Sequence, residues 1–85
     1  MNKNIFKHAD GRIHFGAGSP KGFVPATKVD VANSLKNLGK MKFWRCNVCN
    51  DLHIGVDFPS PCPTCEHIDS YVEINEKEFR TVMQL

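Results

Sequence analysis

Four cysteines in two C-x2-C pairs, Cys46/Cys49 and Cys62/Cys65, dominate a chain of 85 residues. Around them run apolar stretches of strand length, separated by turn signals, and two short segments begin with helix caps. Together these features predict a small, metal-bound, β-rich α+β fold. It would comprise a three-stranded sheet with two cysteine knuckles, an N-terminal β-hairpin and one or two short helices. The expected division is an extension over residues 1–41, a metal-binding domain over 42–75 and a short C-terminal helix over 76–85.

Two residues between cysteines let one tight turn aim both sulfurs at a single point, with the backbone N–H groups of the turn facing them. Two such knuckles brought together by a hairpin make a tetrahedral cage of four sulfurs, which suits Zn²⁺ or a single iron. The expected ligands are Cys46, Cys49, Cys62 and Cys65. Two structural disulfides would instead need an oxidising compartment. Ile5 and Phe6 are the only apolar residues before Lys7 apart from Met1, so the start shows no apolar signal core. No stretch approaches the roughly 18 apolar residues of a membrane span. The chain therefore reads as cytoplasmic, where thiols stay reduced. A domain of this size buries only about 60% of its unfolded surface, and a structural metal supplements such a core.

Charge is unevenly placed. Residues 1–42 carry eight Lys/Arg against Asp10 and Asp30, a net +6, whereas residues 43–75 carry Arg45 against five acids, a net −4. A basic leader beside an acidic metal half suggests that one folds on the other, or that each meets a different partner.

In chain order, Asp10-Gly11 between Ile5–Ala9 and Arg12–Phe15 is a strong hairpin signal. A two-residue turn there would set His8 against Ile13 and Phe6 against Phe15. Phe6, His8, Ile13 and Phe15 would share one face, leaving His8 and His14 on opposite faces, unable to share a metal. Gly16 to Gly22 holds three glycines but neither G-x-G-x-x-G nor G-K-[ST], so it reads as a flexible connection rather than a phosphate cradle. Phe23-Val24-Pro25 reads as a short extended piece. Thr27 with Asp30 resembles a capping box for a helix whose stripe is Val31, Leu35 and Leu38, with Gly39 as the stop. Met41–Arg45, Leu52–Ile54 and Asp69–Ile74 read as the three strands around the knuckles. Asn75 with Glu78 caps a last helix, in which Phe79 and Val82 would pack on the domain.

The segment K-F-W-R-C-N-V-C-N-D-L-H, its two-proline loop, then P-C-P-T-C and S-Y-V-E-I resemble the rubredoxin-like domain at the C-terminus of rubrerythrins. The shared features are Trp44 two before the first cysteine, the C-x2-C-x12-C-x2-C spacing, the C-P-x-C second knuckle and the tyrosine strand after it. The resemblance covers residues 42–74. It implies a three-stranded fold with one iron, Fe(2+/3+), on Cys46, Cys49, Cys62 and Cys65. The implied role is carrying single electrons to or from a redox protein partner, in the oxidative-stress defence of an anaerobe. Asn50 stands where the family usually has glycine, although Asn tolerates a left-handed turn. The di-iron bundle of rubrerythrins is missing, since residues 1–41 contain no Glu.

The competing reading is a zinc ribbon, a structural Zn²⁺ module mediating protein or nucleic-acid interaction. The acidic surroundings of the cage argue against nucleic acid. Trp44, Phe58 and Tyr71 are expected to shield the sulfurs, and a low-dielectric shell tunes an iron site. His53 and His67 lie near the cage but are not needed as ligands. The thiols as a redox dithiol, after C-P-T-C, form a third reading that leaves Cys46 and Cys49 without a purpose. No constellation for bond-making chemistry stands apart from the cage, so the expectation is a carrier or binding module rather than an enzyme. The leader would pack on the ribbon or dock a redox partner or a second copy of the chain.

Overall fold

The computed structural model describes residues 4–84. Lys3, counted in the basic leader, and Leu85 lie outside the described residues. The described residues form six strands and two helices: β1 (Asn4–Lys7), β2 (Ile13–Gly16), β3 (Val24–Pro25), α1 (Lys28–Lys36), β4 (Lys42–Cys46), β5 (Leu52–Gly55), β6 (Tyr71–Ile74) and α2 (Glu76–Met83). All six strands join one antiparallel sheet in the order β3-β1-β2-β5-β4-β6. The α+β class is as expected. The sheet, however, has six strands rather than three, because the N-terminal hairpin pairs through β2 with β5 instead of standing apart.

The hairpin register differs from expectation by one residue. Ile5 pairs with Phe15, Phe6 with His14 and Lys7 with Ile13. A two-residue turn of the expected type needs both central residues at positive φ, but here only Gly11, at +100°, is left-handed. The turn closes instead by Gly11 N–H on His8 O (3.0 Å), with His8 N–H on Arg12 O (3.0 Å). Two side chains favour this longer loop. His8 Nδ1 accepts from Asp10 N–H at 3.2 Å, and Asp10 Oδ1 accepts from Arg12 N–H at 3.1 Å. A slip of one residue moves side chains to the other face, so Phe6 leaves Ile13 and Phe15 and joins His14. His8 and His14 also end on the same side: the Phe23 ring lies 5.4 Å from His8 and 5.9 Å from His53, and His53 pairs with His14.

The register gives the sheet two chemically distinct faces. Ile13, Ile54, Phe43 and Ile74 form one row across it, and Phe15 and Leu52 sit two residues along on the same face. Val31 of α1 and Phe79 and Met83 of α2 cover this face and complete the main core, with Leu35 and Leu38 packed against it. The opposite face carries His14, His53 and Trp44 in one row and Cys46 with Tyr71 in the next. That face holds the cysteines. The leader thus packs on the ribbon through Val31, Leu35 and Leu38, as the sequence led one to expect.

Both helix starts follow their caps. Thr27 N–H donates to Asp30 Oδ2 at 2.9 Å, and Glu78 N–H donates to Asn75 Oδ1 at 2.8 Å. The first helix stops at Lys36 with Asn37 as its cap, earlier than Leu38. Gly39, at φ +56°, serves the turn after it, where Met41 N–H reaches Leu38 O at 2.9 Å. In α2 the packing pair is Phe79 with Met83, one turn apart, whereas Val82 is 39% exposed. The expectation that Val82 packs inward fails because Val82 and Met83 lie on opposite sides of Phe79 around the helix, about 60° and about 40° away, and the core covers the side of Met83.

Candidate metal centre

The first knuckle connects β4 to β5 and the second precedes β6, and the two are built alike. In the first, Asn50 N–H returns to Cys46 O at 2.9 Å and Cys46 N–H reaches Asp51 O at 2.8 Å. In the second, Glu66 N–H returns to Cys62 O at 2.8 Å and Cys62 N–H reaches His67 O at 2.9 Å. The residue after each pair is left-handed, Asn50 at φ +66° and Glu66 at +65°. Asn50 therefore meets the demand that a glycine would meet more easily.

The four Sγ atoms lie within 4.8 Å of one another, with Cys46–Cys65 and Cys49–Cys62 each at 3.6 Å. All four cysteines are free, and 3.6 Å is far beyond the roughly 2.05 Å of a disulfide bond. A tetrahedron with metal–sulfur bonds of about 2.3 Å places its sulfurs about 3.8 Å apart. The four cysteines fit a four-thiolate metal site, and the spacing suits zinc and iron equally.

Polar contacts reach the sulfurs from both sides. Ser70 Oγ lies 3.2 Å from Cys46 Sγ, and Tyr71 Oη–H donates to Cys62 Sγ at 3.4 Å. Burial alone would raise the Cys46 thiol, but the Ser70 hydroxyl and the N–H groups of Cys49 and Val48 outweigh it and bring it down to about 6. Burial pushes the Cys49 thiol the other way, reinforced by the thiols of Cys46 and Cys62 and by Asp51. Burial also raises the Tyr71 hydroxyl, as does its bond to Cys62. One sulfur thus ionises easily while a neighbour resists. Only a cation among them lets all four be thiolates together.

The expected aromatic shell is present. Trp44 and Phe58 meet edge to face at 5.3 Å, Phe58 stacks on Tyr71 at 5.6 Å, and all three pack on the cysteine cluster. Cys46 and Cys62 are fully buried, whereas Cys49 and Cys65 are half-buried.

Behind the cage lies a polar cluster that sequence reasoning missed. Asp51, fully buried, accepts from Thr64 Oγ1 and sits 3.0 Å from His14 Nε2, and Cys62 Sγ lies 3.8 Å from the same carboxylate oxygen. His14 Nδ1 lies 3.1 Å from His53 Nδ1. His14 and His53 are thus neither ligands nor bystanders, but links in a buried row running from Asp51 away from the sulfurs. Burial and the neighbouring His14 push His53 down to about 3. The available signal was a histidine between apolar residues in each of two strands, I-H-F and L-H-I. His67 is exposed, and its backbone, not its ring, serves the second knuckle.

The glycine segment, expected to be a flexible connection, is a close-packed strap. A Cβ on Gly16 would lie 2.2 Å from the Asp51 carboxylate, and one on Gly18 would lie 2.3 Å from Pro63 O. Gly18 N–H donates to Thr64 Oγ1 at 2.9 Å, holding the second knuckle. Gly18→Ala is therefore expected to cost about 1–3 kcal/mol, the range for overpacking a tight site. Gly39→Ala has open space around it and carries only the cost of its left-handed φ. Denaturant midpoints of the two variants check the difference.

Comparison with known protein families, with curated proteins and with solved structures finds no match. No described helix is long and apolar enough to cross a membrane.

Proposed function

We propose that the cage holds one iron ion and carries single electrons to or from a redox protein partner. The observation that carries this reading is the asymmetry of the cage: two sulfurs buried under Trp44, Phe58 and Tyr71, and two half-buried at the surface. An apolar shell with hydrogen bonds onto the sulfurs stabilises and tunes a mononuclear iron–thiolate couple. Ser70, Tyr71 and the knuckle amides supply those bonds, and Cys49 and Cys65 form the edge through which an electron would pass. Val48 and Ile68, 51% and 73% exposed, flank this edge and offer a partner a small apolar rim. The local resemblance of residues 42–74 to the rubredoxin-like domain of rubrerythrins supports the same reading, including its setting in oxidative-stress defence. Iron would supply the one-electron couple; the residues of the chain hold it, shield it and leave one side open.

Metal content and the visible spectrum of protein expressed with iron supplied and zinc limited test this. One iron per chain and a colour that bleaches reversibly on reduction are expected. A colourless protein that holds one zinc even with iron plentiful, with no reversible redox cycle, would overturn it. The cage would then be the centre of a structural zinc module.

A further inference from the structure

The row of histidines behind the cage ends at a cavity. His53 is 2% exposed, turns Nδ1 inward to His14 and lines a cavity of about 450 Å³; its other ring nitrogen, Nε2, has no partner among the described residues yet is not shut away from solvent, which points it to that cavity. Met41, Val56, Phe58 and Pro59 supply the apolar walls. Cavities of a few hundred Å³ with apolar walls and a few placed polar groups are the usual sites for small molecules. We propose that this cavity is a binding site for a small neutral aromatic molecule bearing a hydroxyl group, a phenol, whose hydroxyl meets His53 Nε2.

The chemistry of the lining selects the class. The charged groups at the mouth are already engaged. Arg12 Nε donates to Asp10 Oδ2 at 2.8 Å while its guanidinium lies 5.1 Å over the Phe23 ring, and Asp57 Oδ1 accepts from Phe58 N–H at 2.8 Å. With Asp10 and Asp57 both at the mouth against the one guanidinium of Arg12, which Asp10 already pairs, an anionic ligand meets a net negative rim. At the floor stands a single neutral imidazole nitrogen. His14 Nε2 faces the Asp51 carboxylate and so carries the hydrogen of that ring, which leaves His14 Nδ1 to accept from His53 Nδ1–H and makes His53 Nε2 a lone pair. A hydroxyl answers it by donating. A hydrocarbon ring cannot, and leaves a desolvated nitrogen unpaired. The Phe58 ring offers the aromatic body of the ligand a stacking partner within the same wall. The site does not depend on which metal the cage holds.

The test is an NMR titration of the full chain, loaded with zinc, with phenol and toluene as matched probes and benzoate and benzylamine as charged ones. Phenol is expected to shift the side-chain resonances of His53 and Phe58 and to bind roughly tenfold more tightly than toluene, the fold-change of one lost buried hydrogen bond. His53→Phe should abolish that preference. Should this core variant fail to fold, Val56→Trp, at a position 65% exposed, should fill the mouth and weaken both probes while leaving the fold intact. Equal binding of toluene and phenol to the native chain would overturn the proposal. So would preferred binding of benzylamine or benzoate, absence of shifts at His53 and Phe58, or a Val56→Trp variant that binds phenol unchanged.

Discussion

Adding a strong chelator at neutral pH is expected to abolish the cooperative thermal transition of the chain. Structural zinc sites in small peptides contribute on the order of 10–16 kcal/mol of folding free energy, as much as the whole net stability of a typical domain, about 5–15 kcal/mol. The cage is not an appendage that can open by itself. Its first knuckle joins β4 to β5, and these strands carry Phe43, Leu52 and Ile54 of the main core. Without a cation the buried sulfurs of Cys46 and Cys62 would also face each other and Asp51 with no common partner. Calorimetry with and without chelator, together with far-ultraviolet circular dichroism, checks this. A transition that keeps its midpoint after the metal is removed would show that the helix-covered face folds unaided.

The second large effect belongs to that face. Phe79 is fully buried and its ring lies 5.0 Å from Phe43, so it ties α2 to β4, the strand beside the β6 edge of the sheet. Phe79→Ala is expected to destabilise by about 3–5 kcal/mol, the usual cost of deleting a core phenylalanine. Val82→Ala, on the exposed side of the same helix, should stay within about 0.5 kcal/mol. Guanidinium unfolding at fixed metal concentration measures both, the fixed concentration being needed because bound metal adds to apparent stability. A loss at Val82 as large as at Phe79 would mean that α2 is seated on its other side.

Features of the fold that depend on near neighbours were legible in the sequence. The two knuckles, both helix starts, the strands around the cage and the aromatic shell of Trp44, Phe58 and Tyr71 all stand where their local signals put them. The hairpin register was not legible, because His8 and Asp10 hydrogen-bond the turn backbone and so lengthen a loop that Asp-Gly alone would close in two residues. The role of Gly16 and Gly18 was hidden because glycine marks flexible chain and close approach alike, and the group approached lies 35 or more residues away. The same holds for the Asp51, His14 and His53 row, whose partners are 37 and 39 residues apart. A polar residue between apolar neighbours signals a buried partner without saying which.

The two knuckles are alike in their turns but not in their moorings. Cys46 ends a sheet strand and Cys49 leads into another, whereas Cys62 and Cys65 lie in a loop gripped from outside by Gly18, Tyr71 and Asp51. An ion held here would be gripped on one side by the sheet and on the other by a loop, so its residence time would depend on the contacts between the glycine strap and that loop.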